Sequence, residues 1–269
     1  MSKEGFEGAR LSLQDFLEVF ASLSGEEWEA PSACAGWRVQ EVAAHISSNL
    51  KEMIEPSPPP DEPPPPMKAE EAMEALVVPR RDWPWEDVRD ELQRYAEPAL
   101  AVFGAMQEEP TASTEMALLD LGSYPTHMLA DAFAFDLFCH LRNDILAPRG
   151  PVQRDVAAAD ATRLAPAVGW MLAGLPQMCS ASLGDIEGTI RLELTGAAPS
   201  AWRIDGRPGE WTVADISSDG GSTLGQATIR SDAADFVVWG TKRDDWRSLV
   251  QIEGDTDLVT TFLDRLNII

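Results

Sequence analysis

Near Gly184 the chain changes the spacing of its apolar residues, and that change divides what it can fold into. Before it, Leu11, Leu13, Phe16, Leu17, Phe20 and Leu23 recur at helical intervals, as do Val39, Val42, Ala43, Ile46 and Leu50. Such spacing gathers side chains on one face of a helix. After it, Thr189-Ile190-Arg191-Leu192-Glu193-Leu194-Thr195 alternates with period two, as a half-buried strand does. The two textures need different partners, helix against helix and sheet against helix. The chain is therefore expected to be α+β: a helical bundle over residues 1–180, then a small mixed α/β domain over 184–269.

In the first half the spacing predicts helices over 11–30, broken at Ser24-Gly25, and over 38–54, ended by Pro56. Another follows Trp83-Pro84-Trp85 and bends at Pro98. A connection from about Pro110 to Ser123 leads to a helix over 125–143, with Pro125 near its start. That helix is apolar over much of its circumference (Met128, Leu129, Phe133, Phe135, Leu137, Phe138), which suits a central position. One more spans 154–178, interrupted at Pro166. In the second half, strands are expected at 201–204, 210–213, 226–230 and 249–252, with Ser231-Asp232 capping a helix through Trp239 and a closing helix over 256–266. The proline-rich tract 56–66 reads as a stiff surface loop, or as an extended ligand for an SH3-type domain. It contains no basic residue, which favours the loop.

A net charge of -24 argues against nucleic-acid binding and against anionic membranes. No run approaches the roughly 18 apolar residues of a membrane span, and residues 1–10 carry no apolar secretory core. A cytoplasmic, monomeric protein is the expectation. Cys34, Cys139 and Cys179 form no Cys-x-x-Cys pair, so neither a disulfide framework nor a thiolate zinc site is implied. Inert buried thiols are the ordinary reading, a catalytic thiol the other.

The three histidines are His45, His127 and His140. On the 125–143 helix, Asp136 and His140 stand four apart and share a face. His127, nine residues before Asp136, falls near the opposite side at about 100° per residue, as a surface or structural histidine would. His45 lies mid-helix among Val42, Ala43, Ala44 and Ile46. It is either a satisfied core histidine or an inward-facing ligand completing a site with the pair on the other helix. Two imidazoles and a carboxylate would suit zinc, nickel or iron, with positions left open.

The run from Trp28 through Pro31-Ser32-Ala33-Cys34-Ala35-Gly36-Trp37 to Glu41 and His45 resembles the mycothiol-dependent maleylpyruvate isomerase family, within the DinB-like helical-bundle metalloproteins. The signature is a tryptophan, a Cys-x-Gly-Trp turn and an acidic residue four before a histidine. The resemblance continues through Asp136-Leu137-Phe138-Cys139-His140, where relatives carry Glu-x-x-x-His, and into Trp239-Gly240-Thr241-Lys242-Arg243. It implies a DinB-like four-helix bundle, a sterol-carrier-like C-terminal domain, and a divalent metal, zinc first, on His45, Asp136 and His140. It also implies mycothiol as thiol cosubstrate and a basic residue of the second domain facing the metal, for which Arg243 is the candidate and Lys242 lies behind it. Asp136 departs from the pattern: it is one methylene, about 1.5 Å, shorter than glutamate. Glu41 could compensate as a ligand, though a supporting or surface role suits it better.

Three functions stay open at this point. An enzyme of this family would use a metal-activated thiol against a small electrophile, with isomerisation or conjugation as the outcome. A non-catalytic protein would bind a small ligand with little or no metal. An interaction module would act through the proline-rich loop.

Overall fold

The computed structural model describes residues 3–58, 67–218 and 225–268. Of the proline-rich tract, residues 59–66 lie outside the described residues. The chain forms two compact units, Met1–Ala158 and Ala159–Ile269.

The first unit is helical. Its long helices are α1 (Lys3–Ala21), α3 (Val39–Ile54), α5 (Trp85–Ala105) and α6 (Leu129–Cys139), with α2 (Gly25–Glu29) and α4 (Ala69–Val77) as short links. Helix α1 packs on α6 and α5, and α3 on α5, which makes a four-helix bundle. Its core includes Phe16, Phe20, Trp28, Ile46, Leu50, Leu92 and Leu137, all buried. Local rules fix the ends. Ser24 caps α2, accepting from the Glu27 amide at 3.3 Å while Glu27 accepts the Ser24 amide at 2.8 Å. Glu41 repeats half of that arrangement on α3, accepting the Arg38 amide at 2.6 Å.

Helix α1 starts eight residues before the expected position, because Phe6 and Ala9 extend its apolar face into the core. Pro98 lies inside α5, which remains one continuous helix. Helix α4 and a hairpin of β1 (Glu115–Ala117) with β2 (Ser123–Pro125) occupy stretches with no such expectation. After Cys139 the α6 chain continues as a wider π-helical turn, His140–Ile145.

The second unit opens with α7 (Ala161–Met178) and α8 (Ser180–Leu183), followed by β3 (Gly188–Thr195), β4 (Ser200–Arg207), β5 (Glu210–Asp215), β6 (Ala227–Asp232), α9 (Ala233–Gly240), β7 (Val250–Gly254) and α10 (Thr256–Arg265). The sheet runs β5-β4-β3-β6-β7, parallel between β3 and β6 and antiparallel elsewhere. Ile190, Leu192 and Leu194 of β3 are buried, as their alternation requires. Between them Arg191 and Glu193 pair at 2.7 Å, and Glu193 reaches Arg230 of β6 at 2.6 Å. Asp232 caps α9 through the Ala234 amide at 2.8 Å.

Two expectations are corrected here. Pro166 does not interrupt α7, which runs through both Pro166 and Pro176. Each proline removes one intrahelical bond, and burial of Leu164, Val168, Met171 and Leu172 holds the helix together. The same helix packs against β5 and α9. The division between units therefore falls after Ala158, where texture placed it at 180–184. Helical spacing identifies an apolar face, and it does not say which core that face joins.

Candidate metal centre

Helix α3 carries His45 at its middle, and α6 carries Asp136 in its last turn. His140 follows as the first residue of the π-helical turn. The bundle brings all three together. His45 Nε2 lies 3.0 Å from Asp136 Oδ2, and His140 Nε2 lies 3.2 Å from Asp136 Oδ1. The two imidazoles meet edge to face with centroids 5.1 Å apart. One donor atom from each residue falls within 4.8 Å of the other two. Both histidines are buried, while 27% of the Asp136 side chain is exposed, so Asp136 is the most accessible of the three.

This donor set fits a metal ion. Two donors each about 2.0–2.1 Å from one ion stand roughly 2.9–3.4 Å apart at angles between square and tetrahedral. The separations of 3.0 Å from His45 Nε2 to Asp136 Oδ2 and 3.2 Å from His140 Nε2 to Asp136 Oδ1 lie in that range. The shorter aspartate therefore reaches both imidazoles without help from Glu41. Glu41 is engaged elsewhere, taking the Arg38 amide at 2.6 Å and Arg38 Nε at 3.0 Å.

The three side chains also support one another electrostatically. Burial opposes a charge on Asp136, but His45 and His140 outweigh it and hold the carboxyl far below its usual range. Burial likewise opposes charge on His140, yet the Asp136 carboxylate and bonds to Asp136 and Asp144 raise it to about 9.

Two neighbours of the triad escaped sequence reasoning. Asp144, almost fully buried, accepts from His140 Nδ1 at 2.8 Å. That bond fixes the ring and leaves Nε2 facing Asp136, as the outer carboxylate of a metal-bound histidine does. The signal was present, since Asp144 follows His140 by the same four residues that separate Asp136 from His140. Trp37 forms a wall, its ring 5.4 Å from His45 and 6.2 Å from His140. Its indole N–H donates to Glu74 Oε2 of α4 at 2.8 Å.

The turn carrying Trp37 depends on Gly36, whose φ of +84° is left-handed. A Cβ there would meet nothing within 4 Å, so the cost of a side chain is conformational alone. Gly36→Ala is expected to lower stability by about 1–2 kcal/mol, read from the urea midpoint of the helical signal. An unchanged midpoint would show that the turn relaxes freely.

His127 stands apart from the cluster, as its spacing implied, with Nδ1 2.9 Å from the Ala112 carbonyl. Arg243 belongs to the second unit, just past α9, its amide donating to the Val238 carbonyl at 3.0 Å. Lys242 has a structural task, Nζ donating to the carbonyls of Leu263 at 2.7 Å and Asp264 at 3.2 Å.

Residues 9–142 match the family model described as the mycothiol maleylpyruvate isomerase N-terminal domain. The N-terminal unit belongs to that family. The matched span contains His45, Asp136 and His140. Over nearly its whole length the chain also resembles crystal structures of a mycothiol-dependent maleylpyruvate isomerase and of its histidine-to-alanine mutant. Each match has a TM-score of 0.57 and 15% identity, covering 93% of this chain and 92% of the other. At that identity the likeness is one of fold, and it covers residues of both units. No curated protein matches it by sequence. Among the described residues no helix is long and apolar enough to cross a membrane.

Proposed function

We propose that this protein holds one divalent metal ion, zinc foremost, on His45, Asp136 and His140. In this reading it uses mycothiol as a thiol cosubstrate to isomerise or conjugate a small electrophile of the maleylpyruvate kind. The observation that carries the proposal is the convergence of two imidazole nitrogens and a carboxylate from two helices to within 4.8 Å.

When bound, such an ion supplies the charge that strips the proton from a coordinating thiol. The chain's own residues do the rest. Asp144 keeps His140 oriented with Nε2 toward Asp136. The half-buried Trp37 indole shields one side of both imidazoles, leaving approach along the exposed edge of Asp136. Arg243 is the proposed holder of a substrate carboxylate, since a guanidinium can donate two parallel hydrogen bonds to it. The same reading takes the protein as cytoplasmic and monomeric.

One observation favours a second reading, a metal-poor protein that binds a small ligand without catalysis. Asp136 lies within hydrogen-bond distance of both imidazoles, at 3.0 and 3.2 Å, so the three side chains already satisfy one another as a polar cluster. Elemental analysis of the purified protein, paired with turnover of maleylpyruvate with and without mycothiol, separates the two. About one equivalent of zinc and thiol-dependent turnover abolished by chelation are expected. Metal at background level after incubation with zinc would overturn the enzyme reading in favour of the binder.

A further inference from the structure

A second group of potential ligands shares one residue with the first. Cys34, His140 and Asp144 place a thiol sulfur, an imidazole nitrogen and a carboxylate oxygen within 4.8 Å of one another. The fold builds this group deliberately. The Ala33 amide donates to the Asp144 carbonyl at 2.9 Å, pinning the turn before α3 onto the π-helical turn after α6. Within that turn the Cys34 amide donates to Ser32 Oγ at 3.1 Å and the Cys34 carbonyl accepts the Trp37 amide at 3.1 Å. Cys34 is thus held at both of its backbone groups, with its sulfur within 4.8 Å of a ring nitrogen of His140 and a carboxylate oxygen of Asp144. Asp144 and His140 are buried, whereas Cys34 is half-buried, so an ion can arrive from the Cys34 side.

We propose that Cys34, His140 and Asp144 form a second cation position, selective for soft ions, linked to the first through the His140 ring. His140 is divided between the two groups: Nε2 faces Asp136 at 3.2 Å and Nδ1 faces Asp144 at 2.8 Å. Ligands of one ion stand roughly 3–4 Å apart when one of them is sulfur. The group therefore needs to contract by no more than about 1–2 Å, within reach of a rotation of the Cys34 side chain. Binding releases two protons to solvent, from the Cys34 thiol and from His140 Nδ1. Asp144 then exchanges its hydrogen bond for a bond to the ion. A thiolate beside an imidazole and a carboxylate favours zinc, cadmium or copper(I) over magnesium or calcium. The inference is independent of the proposed reaction, because it needs neither a thiol cosubstrate nor His45 and Asp136.

The test is a cadmium titration of the metal-free protein followed by the ultraviolet thiolate-to-cadmium charge-transfer band. The band is expected to saturate at one equivalent of thiolate-bound cadmium in the wild type, and in His45→Ala, which lacks a ligand of the first position. It is expected to vanish in Cys34→Ser and to persist in Cys139→Ser and Cys179→Ser. Asp144→Asn should weaken the cadmium affinity read from the band about tenfold or more. Far-ultraviolet circular dichroism of each variant confirms folding. A band that survives Cys34→Ser, or that disappears with His45→Ala, overturns the second position. Failure of the first metal centre would instead show as zinc-free wild type with the cadmium band intact.

Discussion

Replacing Trp28 with alanine is expected to lower the stability of the N-terminal unit by about 3–5 kcal/mol, among the largest effects any single change should produce. Trp28 is completely buried in α2. It stacks on Trp85 with centroids 5.5 Å apart and meets Phe20 edge to face at 5.1 Å, while Phe20 stacks on Phe16 at 4.3 Å. This one side chain therefore joins α1, α2 and α5. Deleting it loses the transfer energy of an indole and leaves a cavity that three separate elements would have to collapse to fill. Trp28→Phe should cost less. It keeps an aromatic ring, and the indole N–H it removes is buried with no hydrogen-bond partner among the described residues. Urea unfolding monitored by helical circular dichroism checks both. A Trp28→Ala cost below about 1 kcal/mol would mean that the cluster is not part of the cooperative core.

The consequence reaches the metal centre. The chain leaving α2 is tied to the start of α3 by the Val39 amide, which donates to the Ala30 carbonyl at 2.9 Å, and by a bridge between Pro31 and Arg38. The intervening turn carries Cys34 and Trp37. Loosening α2 should therefore release Trp37 from the imidazoles before the long helices separate.

Much of this architecture was legible in the sequence because periodicity reports burial directly. Helix α3 and the strands β3 to β7 fall within a few residues of where alternation and caps placed them, and Asp232 caps α9 as its position suggested. The unforeseen parts are those whose cause is not periodic. Helix α4 is short, and β1 and β2 have three residues each, too few to show a pattern. Helix α7 has a clear apolar face, but its choice of the sheet over the bundle is a tertiary fact that no local spacing encodes.

The candidate site shows the same division. Asp136 and His140 could be paired from their spacing on one helix, whereas His45 needed a second helix and so remained ambiguous until the bundle set the two side by side. Asp144 repeats the four-residue spacing, and the widening of the helix into a π turn at His140 could not be foreseen. Cys34 was read as an isolated thiol because its neighbours His140 and Asp144 are more than a hundred positions away.

Asp136→Asn is expected to weaken metal binding most in alkaline solution, above pH 9, and to flatten its pH dependence. In the metal-free wild type His140 is protonated up to about 9. An imidazolium has no lone pair on Nε2 to offer an ion, so each ion bound must displace a proton there. Apparent affinity should therefore rise about tenfold per pH unit as pH approaches 9 and level off above it. The sign for stability is opposite. A raised histidine stabilises the metal-free fold fully below about 6.5, and that contribution is lost as pH rises through about 9. Asp136, held low, contributes above its ordinary range and loses its effect only in strong acid. Asparagine removes the anion that Coulombically supports the charged His140, so the imidazole should titrate nearer its ordinary value. It also replaces a charged ligand by a weak neutral one. The variant should accordingly bind zinc at least tenfold more weakly at pH above 9, with a smaller penalty gained or lost between pH 7 and 9 than in the wild type. Competition with a chromophoric chelator across that pH range measures both. A wild-type affinity that does not change with pH would show that His140 takes no part in holding the ion.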